Sequence, residues 1–301
     1  MTMTRWCYTV TQYAGFLLQI LPVILLIYVP YDNSQLKIEN VNIIAMNRIS
    51  VLYGMLALGA CLVCVSCGNV WKSRDRKEPV VTVERKVRYF SKIEVEYPCD
   101  VIFAQSDSLY VSVSGTRDAV NGIVTVHDGD RLVIRPKMLP GMLLPARLSS
   151  VANIYVSSPD LTDVMFKTAG SFRVTGPLDT DTLRVRLTGS GDVWFGRIVC
   201  DALSVELEGS GNVSIDSVRG VSSYVSLLGA GNVKVRQYKF ADSHLRLMGV
   251  GDMDATFEDC NRVECELMGV GNMNLRGTVR SLSQNKKGTG SINTDELRFS
   301  H

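Results

Sequence analysis

Leu187-Thr188-Gly189-Ser190-Gly191-Asp192-Val193 recurs in the same frame at Leu207, Leu227, Leu247 and Leu267, each copy 20 residues after the last. An integer period held without insertion means that equivalent residues stack, each copy being one turn of a solenoid that rests on its neighbour. Within a copy such as Leu203-Ser204-Val205-Glu206-Leu207-Glu208-Gly209-Ser210-Gly211-Asn212-Val213-Ser214-Ile215, apolar and polar residues alternate on either side of the Gly-Ser-Gly-Asn break. That is a strand period, not a helical one. A coil of this size holds two or three short strands at about 3.3 Å per residue, with parallel coils about 4.8 Å apart. The spacing predicts an all-β chain, a parallel β-helix whose regular repeats span about residues 181–280. The crossover rule makes it right-handed.

Reading the copies in columns sharpens this. Leu187, Leu207, Leu227, Leu247 and Leu267 form one apolar column, and Val185, Val205, Val225, Leu245 and Cys265 form another two residues earlier. Val193, Val213, Val233, Met253 and Met273 show that the strand after the glycines feeds the same core. Between them, the outward column Arg186, Glu206, Ser226, Arg246, Glu266 sets opposite charges on adjacent coils, as cross-strand pairing favours.

The glycine phrase has a chemical reading and a structural one. Glycines permit close approach to a phosphate, but a dinucleotide loop runs from strand to helix, and here a strand follows each time. The structural reading is a tight corner in which Gly189, Gly191, Gly209, Gly211, Gly229, Gly231, Gly249, Gly251, Gly269 and Gly271 supply positive φ. Asp192, Asn212, Asn232, Asp252 and Asn272 then form a stacked ladder in which no two aspartates are neighbours, which avoids carboxylate repulsion at the coil spacing. A calcium column would want more acid per turn.

The columns and the phrases around them resemble the auto-transporter adhesin head GIN domain proteins of bacterial cell envelopes. Besides the G-[SA]-G-[ND]-V phrase, the resemblance rests on Phe90-Ser91-Lys92-Ile93-Glu94-Val95, Asp100-Val101-Ile102-Phe103 with Val111-Ser112-Val113, and Asp128-Gly129-Asp130-Arg131-Leu132-Val133-Ile134. Ile154-Tyr155-Val156-Ser157-Ser158-Pro159-Asp160-Leu161 is similar to the family's entry into the repeats. It covers roughly residues 85–300, with Met253, Met273 and the degenerate Thr168-Ala169-Gly170-Ser171-Phe172 as departures. It implies an all-β helical fold on an exported protein, with no established activity.

A net charge of +2 with dispersed basic residues and 46% hydrophobic content argues for a folded chain and against a nucleic-acid partner. The apolar stretches between Arg5 and Asp32 and from Ile49 to Cys67 allow two membrane helices. The preferred reading is a lipoprotein-type signal over 46–67: Met46, Arg48, an apolar core, then Val65-Ser66-Cys67-Gly68, with lipidation at Cys67. Residues 1–45 are then an over-called gene start, 68–84 a tether and 85–301 the β-helix domain, and in either case the domain is held at a membrane from its N-terminal side. Gly68-Asn69 and the basic residues after them differ from acidic surface-export signals, which points to an outer-membrane lipoprotein facing the periplasm.

No cofactor and no metal site are expected. Cys61, Cys64 and Cys67 have a CxxCxxC spacing, but they sit in the apolar leader without a fourth partner. Cys200 and Cys260 share a column three coils apart, beyond disulfide reach, and Cys265 holds a core seat. His127, His244 and His301 lack metal or triad spacing. No catalytic residues emerge, although carbohydrate-active enzymes also use β-helices. The readings carried forward are a non-enzymatic adhesin or scaffold module with an envelope protein or glycan partner, and a self-assembling envelope protein whose partner is another copy. A glycan surface would carry aromatics in line, and only Trp194 and Tyr224 offer themselves.

One surface stands out for a partner. The outward column Thr188, Glu208, Leu228, Met248, Met268 and the corner column Ser190, Ser210, Ala230, Val250, Val270 both turn apolar at the third copy. Leu228, Ala230, Met248, Val250, Met268 and Val270 therefore form a contiguous patch. It is either a contact surface or a face covered by the N-terminal strands of the same chain.

Overall fold

The computed structural model describes residues 79–138 and 152–300, which fall in one compact unit, Lys77–His301. The leader, Cys67 and most of the tether lie outside the described residues. The unit is an all-β solenoid of stacked coils. One flank stacks β10 (Thr182–Leu187), β12 (Ala202–Leu207), β14 (Ser222–Leu227) and β16 (Asp242–Leu247), all parallel. The other stacks β9 (Gly170–Asp179), β11 (Asp192–Val199), β13 (Asn212–Arg219) and β15 (Asn232–Tyr238), again parallel. The strands β17 (Met253–Leu267) and β18 (Val270–Lys286) run through both flanks, and β19 (Thr289–Phe299) adds the last layer.

The register equals the sequence period. Leu187 pairs with Leu207, Leu207 with Leu227, Leu227 with Leu247 and Leu247 with Leu267. All five are fully buried, as are Val185, Val205, Val225 and Leu245. Inward parity switches once per coil: Val193 and Phe195 point in, and Ile198 follows after a register irregularity, so the second strand turns an edge of the solenoid. Size is balanced between coils. Gly220 sits against the Phe240 ring, where an added Cβ would meet Phe240 Cζ at 2.8 Å.

Outward columns pair across coils as the charges imply. Arg186 lies 2.7 Å from Glu206, and Arg246 lies 2.9 Å from Glu266. Ser226, between the two pairs in an outward column, is nonetheless fully buried. Partly exposed pairs of this kind contribute at most about 1 kcal/mol each; their larger role is to disfavour other registers.

The N-terminal layers depart from the repeat. β2 (Lys92–Val95), β3 (Cys99–Gln105), β6 (Arg131–Pro136), β7 (Asn153–Ser158) and β8 (Asp163–Phe166) continue the two flanks in parallel. Outside them, β1 (Val81–Glu84), β4 (Tyr110–Gly115) and β7 pair antiparallel, as do β5 (Ile123–Asp128) and β6. Between β4 and β5 the short helix α1 (Arg117–Gly122) buries Ala119 and Val120. Reversed strands and a helix close the stack, because neither continues the parallel template. β1, which pairs with β4, begins four residues before residue 85, where the sequence reading starts the β-helix domain.

The other end is closed by chemistry instead. Gln284 and Lys286 occupy the columns of Cys265 and Leu267 and are exposed. Placing Val at 284 and Leu at 286 is expected to promote end-to-end association, read as a second species in sedimentation velocity; an unchanged monodisperse profile at high concentration would contradict it.

Cys99, Cys200, Cys260 and Cys265 are free thiols in the core. Burial pushes Cys200 up to about 11 and Cys265 to about 12, and raises Cys99 and Cys260 as well. Thiols held protonated in this way are packing residues, not nucleophiles.

Candidate functional site

The corner that joins the two flanks carries the glycines, the ladder and the apolar stripe. Its glycines are required chiefly by close approach. Of the ten, only Gly251 and Gly271 have a φ in the left-handed range, +140° and +145°. Elsewhere the limit is the coil below: a Cβ on Gly211 would stand 1.6 Å from the Gly191 carbonyl oxygen. The corner is so tight that the missing side chain would point along the stacking axis into the neighbouring backbone.

Beside it the carboxamide ladder is formed. Asn212 Nδ2 donates to Asp192 Oδ1 at 2.8 Å, and Asn232 Nδ2 to Asn212 Oδ1 at 3.0 Å. The Asp252 backbone N–H donates to Asn232 Oδ1 at 3.1 Å, and Asn272 Nδ2 to Asp252 Oδ1 at 3.2 Å. The register carries the column further than the repeat shows. Ser171 pairs with Asp192 and Asp100 with Ser171, whose hydroxyl donates to Asp100 Oδ1 at 2.7 Å, and the Ser291 hydroxyl donates to Asn272 Oδ1 at 2.9 Å. One oxygen of each carboxylate, Oδ1, is thus met by neutral donors from the next coil. Among the described residues no group of three or more His, Cys, Asp or Glu side chains is placed to hold a metal ion.

The apolar stripe lies on the outer side of the same corner. Leu228, Met248, Val250 and Val270 keep between 39% and 57% of their surface exposed. Ala230 is exposed and Met268 half-buried. With Lys287 and Thr289 at one end they line a shallow groove of about 640 Å³. Among the described residues, none from the N-terminal strands lines this groove. The backbone changes where the side chains do. In every copy the corner N–H bonds the coil below, as in Ser210 N to Gly189 O at 2.9 Å and Val250 N to Gly229 O at 2.9 Å. Only in the apolar copies do Ala230, Val250 and Val270 form parallel bridges, with Gly231 N donating to Val250 O and Gly251 N to Val270 O, both at 3.0 Å. The stripe is therefore an extension of the sheet round the corner, a flat platform with its backbone fixed. Sequence columns located its side chains; the change in backbone had no signal beyond the Ser-to-Val switch at the corner.

The aromatic residues do not form a line. Trp194, on β11, lies under the Arg173 guanidinium at 5.1 Å and donates to Asp216 at 3.2 Å. Tyr224, on β14 in the opposite flank, stacks on His244 at 5.8 Å, and His244 Nδ1 lies 3.2 Å from Glu264.

The fold is similar to that of several crystal structures. A "putative adhesin" from Bacteroides fragilis NCTC 9343 is 22% identical, with 71% of this chain and 96% of that one covered at a TM-score of 0.58. A "putative lipid binding protein" from Parabacteroides distasonis ATCC 8503 is 20% identical, covering 75% and 98% at 0.55. A "putative adhesin" from the same strain is 13% identical, covering 72% and 97% at 0.52. No curated protein matches the sequence. The profile described as "Putative auto-transporter adhesin, head GIN domain" matches residues 89–259 and 223–301, which together take in every strand from β2 onward. With its glycine corners, stacked ladder and parallel coils accounted for, the chain belongs to that family.

Proposed function

We propose that this chain is a non-enzymatic envelope lipoprotein, tethered through Cys67 or the apolar leader and facing the periplasm, whose solenoid binds a protein partner through the apolar corner. One observation carries the binding surface: six apolar side chains stand together on three adjacent coils, on a backbone platform that the polar coils lack. Solvent-exposed apolar groups of this extent usually have a partner. The dispersion of Trp194 and Tyr224 over two flanks favours a protein over a glycan, since sugar binding needs stacked aromatics on one face. A second copy of the chain is the alternative occupant, because an apolar groove with few charges suits a self-complementary contact.

Met248→Lys combined with Val270→Lys tests this. The two residues lie on different coils and in different columns, so the new charges avoid direct opposition. Association with the partner or second copy is expected to fall at least about tenfold, while the unfolding free energy from urea denaturation stays within about 0.5 kcal/mol of wild type. A large stability loss with unchanged association would assign the stripe to the core.

A further inference from the structure

The N-terminal end of the solenoid carries a second site, unlike the corner in chemistry. The segment after β1 crosses the outermost layer: Arg88 N–H donates to His127 Nε2 at 3.2 Å, and the Arg85 guanidinium reaches α1, donating through Nη2 to the Val120 carbonyl at 2.8 Å. Arg85 Nε remains buried and unpartnered, beside a cleft of about 380 Å³ that Lys86, Asn121, Thr125 and Lys137 also line. Residues 84–88, 117–125 and 135–137 hold six cations, Arg85, Lys86, Arg88, Arg117, Arg135 and Lys137, against two carboxylates, Glu84 and Asp118. Six minus two gives +4 in these segments, whereas the whole chain is only +2. None of the six has a carboxylate partner among the described residues; on the coils Arg131, Arg186, Arg246 and Arg262 have one, whereas Arg184, Arg197 and Lys234 do not, so the end differs in the clustering of its cations. Apolar Val80, Tyr89 and Met138 are exposed in the adjoining chain.

Free cations, an orphaned buried guanidine N–H and interspersed apolar side chains are what an anionic headgroup layer meets best. Phosphate accepts from a guanidinium and from two ammonium groups at once, and Tyr or Met side chains enter the interfacial zone. The position agrees, because this end is where the chain emerges from the tether. We infer that the Arg85–Lys86–Lys137 cleft binds the phosphate of anionic lipid headgroups and sets the solenoid end-on against the membrane, an inference that rests on the N-terminal tether proposed above.

The test uses the full chain with vesicles of phosphatidylcholine alone or with about one quarter phosphatidylglycerol, read by backbone-amide exchange. Exchange at residues 85–88, 121–125 and 135–137 is expected to slow at least about fivefold only with phosphatidylglycerol, and high salt should reverse it. Lys86→Glu with Lys137→Glu should return these amides to the phosphatidylcholine rate while β11–β15 stay unchanged. Equal exchange in both vesicle types, or a contrast that survives the double variant, would overturn the proposal. Equal protection by millimolar inorganic phosphate in phosphatidylcholine vesicles would also overturn it, assigning the cleft to a free anion. Flotation with phosphatidylcholine vesicles reads the tether separately. If the chain fails to float, the tether alone is lost, and the exchange contrast with excess phosphatidylglycerol vesicles still decides the headgroup site.

Discussion

Gly211→Ala is expected to destabilise the solenoid by about 3 kcal/mol or more, close to the upper end for a single methyl group. The new Cβ would lie 1.6 Å from the Gly191 carbonyl oxygen and 2.7 Å from its carbon, both backbone atoms that no rotamer change can move. Relief requires the two coils to separate, which also strains the hydrogen bond from Asn212 Nδ2 to Asp192 and the corner bond from Ser210 N to Gly189 O. Because each coil is stabilised by its neighbours alone, the damage should be local, with limited proteolysis entering near this corner before the rest of the chain opens. Gly122→Ala is the matched control. Its Cβ would meet nothing within 4 Å, and its unfolding free energy should stay within about 0.5 kcal/mol of wild type. Equal midpoints for the two variants would mean that the coils stack less closely than described.

The second large effect separates two neighbours in one strand. Phe195 is fully buried, its ring 6.3 Å from Phe172, and it is aligned with Ile215 above and Val174 below. Phe195→Ala should therefore cost about 3–5 kcal/mol, combining lost transfer energy with an unfilled cavity between coils that cannot collapse independently. Trp194 is larger but faces outward, held by Arg173 and Asp216. Trp194→Ala should cost only about 1 kcal/mol, the scale of an exposed cation–π contact with one hydrogen bond. Chemical denaturation of the two variants measures the inward and outward parity of β11 directly, and a reversed order would contradict it.

The repeat made most of this architecture legible. A period of 20 residues dictated the pairing of Leu187 with Leu207 and onward, hence the core columns and the alternating charge column. Legibility fell where the repeat fell. Nothing periodic marks β1, β4 or β5, and the antiparallel pairings of β1 with β4 and of β4 with β7 depend on contacts between distant residues, as in Val81 with Gly115 and Val111 with Val156. The carboxamide column looked like five residues, yet register extends it to Asp100, Ser171 and Ser291, because a serine or a distant aspartate can fill a rung without matching the phrase. The corner glycines were visible, but their cause was not. The close approach of the coil below applies to all ten, and positive φ adds to it only at Gly251 and Gly271. The strand period sets the coil spacing, but not that the missing side chains at this corner would point along the stacking axis into the neighbouring backbone. The apolar stripe could be read from its columns, whereas the cleft at Arg85 could not, because it is assembled from three segments with no common pattern.

A photo-reactive side chain placed at Val250 of the full chain, and irradiated in intact cells, reads whether the apolar corner is a contact surface. Val250 is more than half exposed and flanked by Met248 and Val270 on the platform, while Lys234 is exposed on a different face of the solenoid and serves as the reference position. A discrete adduct of higher mass at 250, absent at 234 and lost in the Met248→Lys, Val270→Lys background, is the expected result. Equal labelling at both positions, or none at 250, would show that the stripe meets only water and that the solenoid binds elsewhere.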